Sequence, residues 1–176
     1  MSSKVTKLGC GKNFPEAFNV VIEVEANALP VKYEYDKDSD FMIVDRFIAT
    51  PMHYPCNYGF VPCTLSDDGD PADVLVISPY PIRSGSAIEC RAVGVLIMED
   101  EKGMDEKIIA VPSSSITKMY DHIKDVNDVN PALLNQIKHF FEHYKDLEKG
   151  KWVKVKTLEN TETAVDLLIK AKANYK

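Results

Sequence analysis

The chain has 176 residues, 45% of them hydrophobic and 27% charged, which suits a compact domain with a real core and excludes a disordered or fibrous chain. Its 27 acidic residues against 21 basic ones leave a net charge of −6, which argues against a surface built to hold a nucleic-acid backbone or an anionic membrane. A small anionic substrate is not excluded, because bound metal ions invert local charge.

In chain order, Met1 to Asn13 carries lysines but no apolar stretch of the signal-peptide kind. Phe18 to Glu25 reads as a strand, with Val20, Ile22 and Val24 on one face and Glu23 on the other. Val31 to Asp36 alternates cleanly, Val31, Tyr33 and Tyr35 against Lys32, Glu34 and Asp36. Phe41 to Phe47, Asp73 to Ile77, Cys90 to Met98 and Lys107 to Val111 are further short β segments, punctuated by proline and glycine. Tyr54-Pro55-Cys56-Asn57-Tyr58-Gly59 reads as a tight turn between core tyrosines. Asn130 caps a helix that opens on Pro131 and runs toward Gly150, with Leu133, Ile137, Phe140, Phe141, Tyr144 and Leu147 at helical spacing. Lys151 to Leu158 is one more strand. Asn160 caps a last helix whose apolar side is Val165, Leu168 and Ile169.

Many short strands with tight turns imply a small barrel or sandwich, and the absence of repeats or linkers implies one domain over residues 1–176. The longest apolar run, Ala92 to Met98, is too short to cross a bilayer. Cys10, Cys56, Cys63 and Cys90 form no C-x-x-C pair and read as reduced, mostly packed thiols, so a cytoplasmic protein is expected.

The chemistry concentrates in Asp67-Asp68-Gly69-Asp70-Pro71-Ala72-Asp73, ahead of the apolar run Val74 to Ile77. Gly69 and Pro71 bend the chain so that the carboxylates of Asp68, Asp70 and Asp73 can converge. Converging carboxylates repel unless a cation neutralises them, and oxygen-only ligands suit Mg²⁺ or Mn²⁺. Asp100 and Asp105 add acids at the turn between two strands, and Asp105 shares a face with Lys107. Lys32 and Glu34 share a strand face, Arg46 follows an apolar run, and Lys145 stands beside Tyr144.

Together these segments resemble the soluble inorganic pyrophosphatases of the compact bacterial type (family I). The resemblance rests on Asp68 to Val74, Lys32-Tyr33-Glu34, Val44-Asp45-Arg46-Phe47, Tyr54 to Gly59, Asp100 to Lys107 and His139 to Val155, in order over nearly the whole chain. It implies a mainly β fold with flanking helices, a five-stranded OB-like β-barrel in a single domain, assembled as a homohexamer. It implies Mg²⁺-dependent hydrolysis of pyrophosphate to two orthophosphates. By that resemblance Asp68, Asp73 and Asp105 are ligands of the tighter Mg²⁺, with Asp73 bridging to a second. Asp100 and Asp105 hold a third, and Glu23 and Glu34 contact metals mainly through water or with substrate bound. Asp70 is the general base near the metals, oriented by Tyr54; Lys32, Arg46, Tyr58, Lys107, Tyr144 and Lys145 hold the phosphates.

Charge gives a check. The implied site carries seven carboxylates and four cationic side chains, a net of −3. Pyrophosphate, about −4, takes it to about −7, and three or four Mg²⁺ bring the sum near zero, as a desolvated site needs. Two metals sharing a water generate the nucleophile, and cations on the other phosphate stabilise the leaving group.

Other motifs fall away. His139 to His143 matches H-x-x-E-H, but little chain follows for a distal zinc ligand. Ser115 to Lys118 matches S-x-x-K without its partner motifs. Asp36 to Asp40 starts like a calcium loop, but Phe41 stands where the turn glycine belongs. The rival functions are an OB-type nucleic-acid-binding module, which would want a basic groove, and a passive divalent-metal binder, which would not need Lys32, Arg46, Tyr58 and Lys145. Leu29 and Asp67 depart from the family pattern: an acid often stands at the first position, and the second adds a carboxylate beside the signature.

Overall fold

β-Branched and aromatic segments form eight strands in the computed structural model, which describes residues 3–176. They are β1 (Phe18–Val24), β2 (Val31–Asp36), β3 (Phe41–Phe47), β4 (Asn57–Phe60), β5 (Asp73–Val76), β6 (Ala87–Asp100), β7 (Gly103–Pro112) and β8 (Val153–Glu159). Sheet order is β1-β4-β5-β7-β6-β8, and β1 also pairs with β6, so five strands close on themselves as the OB-like barrel. Length makes the closure possible. Strand β6 has 14 residues; Phe18–Val21 of β1 pair with its first part, and β8 takes Val95–Asp100. Strands β2 and β3 form a separate two-stranded sheet.

Strand β5 beyond Asp73 and β7 from Lys107 onward are buried on both faces, which is why Val74 to Ile77 and Ile108 to Val111 read as continuous apolar runs. Val74, Val76, Ile108 and Ala110 pack in one cluster with Ala164, Leu168 and Ala171 of helix α3 (Thr161–Asn174), the third helix. Leu75, Ile109 and Val111 pack in another, with Ile137, Phe140 and Phe141 of helix α2 (Pro131–His143). Burying each of those large side chains stabilises the fold by about 1.5–3 kcal/mol. The caps act as expected: Asn130 accepts from the Ala132 N–H and Asn160 from the Thr163 N–H. A short first helix, α1 (Lys4–Leu8), seats Val5 against Val21 and Phe60. Among the described residues no helix is long and apolar enough to cross a membrane, and all four cysteines are free thiols.

Four local expectations need correction. Residues 57–60 are a strand rather than part of a turn, because Gly59 lets β4 lie directly against Ile22 of β1. Helix α2 ends at His143, with Tyr144 as its C-cap, and the chain continues in turns that leave Leu147 exposed. On α3, Val165 and Leu168 face the core as expected, joined by Ala164 and Ala171, but Ile169 is exposed. Val24 packs with Tyr58 rather than with Val20 and Ile22, because an irregularity between Ile22 and Val24 shifts the pairing.

Candidate active site

The strand ends place the charged groups. Parallel pairing of β5 with β7 sets Asp73 opposite Lys107, and the β6–β7 hairpin sets Asp105 opposite Met98 and Asp100 opposite Gly103. Asp100 and Asp105 are therefore strand residues, not turn residues. The loop before β5 is closed on itself. Ser66 N–H donates to Asp70 O at 2.7 Å, and Asp70 N–H donates to Asp68 Oδ1 at 3.0 Å. The buried Thr64 hydroxyl ties its stems, donating to Val61 O and accepting from Ala72 N–H. Gly69, at φ 90°, takes the left-handed conformation that this turn requires.

One cleft of about 900 Å³ opens onto all of these groups. It is lined by Asp68, Asp70, Asp73, Asp100, Asp105, Glu23 and Glu34, by Lys32, Arg46, Lys107 and Lys145, and by Tyr54, Tyr58 and Tyr144. Every candidate residue taken from the sequence thus faces the same space. Sequence reasoning gave no role to Asp45, Glu101, Lys102 and Lys151, which also line it. All four sit inside segments that carry the resemblance; Glu101 and Lys102 reach the cleft through the hairpin and Lys151 through the turns after α2. Asp67 lies outside the cleft, 2.6 Å from Lys170.

The electrostatics are those of an acid-rich cavity. Lys107, buried, reaches Asp73 Oδ2 at 2.5 Å and Asp105 Oδ1 at 2.6 Å. Burial alone would lower the lysine pKa, but the two carboxylates outweigh it and hold Lys107 well above its usual value. Lys145 Nζ lies 2.8 Å from Asp100 Oδ2, and Lys32 pairs with Glu34 and, at 3.4 Å, with Asp45. Burial pushes Glu23 up to about 8, against the hydrogen bond its carboxylate accepts from Tyr35 N–H at 2.8 Å and with help from nearby Asp73. Burial also raises Asp105, despite Lys107. Tyr54 and Tyr58 are held neutral well past their ordinary range, again by burial.

The donor set fits divalent cations. Among the described residues no three acidic, imidazole or thiol groups enclose a cation as they stand. Instead the Lys107 ammonium lies between Asp73 and Asp105, so their oxygens already converge on one positive charge. Burial, not a lack of cations, is the main cause of the raised Glu23 and Asp105, with Asp73 adding a smaller push at each. Carboxylate oxygens without sulfur or imidazole suit a hard ion such as Mg²⁺.

Comparison with known proteins points the same way. The family model described as "Inorganic pyrophosphatase" matches residues 20–176. The inorganic pyrophosphatase of Escherichia coli (strain K12) is 63% identical over 154 residues, covering 88% of each chain. That of Pseudomonas aeruginosa is 55% identical over 170 residues, 97% of each. Among solved structures, the inorganic pyrophosphatase from Thermus thermophilus superposes with a TM-score of 0.93 at 43% identity, over 98% of this chain and 99% of that one.

Proposed function

The chain belongs to the inorganic pyrophosphatase family and hydrolyses pyrophosphate to two orthophosphates with a divalent metal; we propose the roles of its residues as follows. Asp68, Asp70, Asp73, Asp100 and Asp105, with Glu23 and Glu34 further out, hold three to four Mg²⁺ when substrate is bound, and Mn²⁺ can replace it. Bound there, the cations neutralise the substrate and make a nearby water a stronger nucleophile. Asp70 takes the proton as the water oxygen bonds to phosphorus and the bridging P–O bond breaks. Tyr54 orients Asp70.

The phosphates are held by the cationic side. Arg46 grips phosphate oxygens with its planar fork, and Lys32, Lys107 and Lys145 act as point charges. Tyr58 and Tyr144, kept neutral by burial, remain hydroxyl donors at working pH. Lys107 has a further part: its ammonium restrains Asp73 and Asp105, so the metal-free site keeps its shape.

The observation that carries this reading is that the carboxylates and cations singled out from the sequence all line one cleft. A passive metal binder has no use for Lys32, Arg46 and Lys145, and a nucleic-acid module would not line its groove with acids. Homohexamer assembly, a single catalytic domain over residues 1–176 and a cytoplasmic setting belong to the same proposal. Exposed Leu29, Phe41 and Phe47 support burial against another subunit, and free thiols support a reducing compartment. Phosphate release from pyrophosphate with Mg²⁺ tests the reading. Wild type should turn over and folded Asp70→Asn should lose about 10²–10⁴-fold in kcat; near-normal turnover of that variant removes Asp70 as base.

A further inference from the structure

We propose that Glu148 is a positioning residue that aims the Arg46 guanidinium into the cleft. The inference rests on the reading of Arg46 as a phosphate-holding group. Arg46 stands on β3, in the small sheet apart from the barrel, and Glu148 stands in the turns after α2. Arg46 Nε lies 3.6 Å from Glu148 Oε1. Both atoms are buried, and neither has a hydrogen-bond partner. Burying a charged donor and a charged acceptor without partners is costly, so each is held by the attraction of the other. On the other side, Arg46 Nη1 lies 3.3 Å from Asp45 Oδ2.

The guanidinium is rigid and planar, so fixing Nε and Nη1 fixes the direction of its remaining donors. Asp45 alone would fix it poorly, because its carboxylate is shared with Lys32 at 3.4 Å. Glu148 also ties Arg46 to Lys145. The Glu148 N–H donates to Lys145 O at 2.9 Å, and Lys145 Nζ is held by Asp100 at 2.8 Å. One short turn thus sets two phosphate-holding cations, supplied by separate parts of the fold, at a defined spacing.

The test measures KM and kcat for pyrophosphate in Glu148→Ala, Glu148→Gln, Arg46→Lys and the Glu148→Ala/Arg46→Lys double variant. It also follows exchange of the Arg46 Nε–H by NMR without substrate. Glu148→Ala should raise KM about tenfold with kcat changed less than about threefold, and Nε–H exchange should quicken. Glu148→Gln, which keeps an acceptor, should raise KM less than Glu148→Ala. Lysine has no Nε–H, so in the Arg46→Lys background Glu148→Ala should add nothing. Glu148→Met, which keeps bulk without an acceptor, carries the same expectation where Ala loosens the turn. An unchanged or lowered KM in Glu148→Ala, or a full tenfold effect in the Arg46→Lys background, overturns the proposal. A wild-type KM in Arg46→Lys removes the phosphate role of Arg46 and the proposal with it; lost Nε–H protection in Glu148→Ala would then still register the contact itself.

Discussion

Lys107 and Asp73 face each other across the parallel pairing of β5 with β7, and their side chains meet at 2.5 Å. The lysine is 5% exposed and is shared with Asp105. Replacing it by Met leaves two carboxylates facing each other with no cation between them. Breaking a buried charge pair from one side costs about 3–5 kcal/mol. Urea denaturation of Lys107→Met without divalent metal should show a loss of that order, and Mg²⁺ should recover part of it. A variant as stable as wild type would mean that Lys107 does not hold these acids together.

Two glycines make different demands. A Cβ on Gly59 would lie 1.9 Å from Val21 O and 2.9 Å from Ile22 Cα, backbone atoms that cannot turn aside. Gly59→Ala should therefore cost at least about 3 kcal/mol and separate β4 from β1. At Gly69 a Cβ meets nothing within 4 Å, but φ is +90°. Gly69→Ala should cost about 1–2 kcal/mol through backbone strain alone, its main effect falling on Mg²⁺ affinity as the Asp68–Asp70 turn shifts. Thermal denaturation with Mg²⁺ titration separates the two.

How far the sequence could be read follows from the range of each interaction. Caps at Asn130 and Asn160 and the extents of β2 and β3 are local, and they appear where the sequence places them. The alternation read in β2 does not become one buried and one exposed face: Glu34 is exposed and the other five residues are half-buried. Strand β4 was hidden because its four residues read as a turn when taken without β1 and β5. In the site, the acids of the Asp68–Asp73 loop were legible because proximity in sequence implies proximity in space. Glu23, Lys32, Arg46 and Lys145 were assembled with them by resemblance alone, since nothing local says which strand ends meet. Glu148 and Lys151 were out of reach because their partners, Arg46 and Glu101, lie far away in the chain.

Asp67 adds a carboxylate beside the signature, but it faces Lys170 at 2.6 Å, and both side chains are more than half exposed at 60% and 54%. Exposed pairs of this kind contribute about 0–1 kcal/mol. Asp67→Asn should leave Mg²⁺ titration within about twofold of wild type and stability within about 1 kcal/mol. A marked loss of Mg²⁺ affinity would place Asp67 in the metal site after all.

Glu23 makes stability depend on pH in a direction opposite to that of most carboxylates. Burial raises its pKa from 4.5 to about 8 in the folded chain. Between those values the folded state holds a proton that the unfolded chain has released, so stability falls as pH rises. The contribution is present below pH 4.5, declines through the window by at most about 1.4 kcal/mol per pH unit, and is gone above about 8. Glu23→Gln cannot ionise, so the metal-free variant should show a flatter dependence and should exceed wild type at pH 8. Divalent metal acts oppositely, because a cation near the carboxylate favours the charged form. Mg²⁺ affinity of wild type should therefore climb with pH across the window, with proton release measurable by calorimetry in two buffers. Urea midpoints from about pH 5 to about pH 8, with chelator and with Mg²⁺, test both halves; parallel slopes for wild type and variant would remove Glu23 as their source.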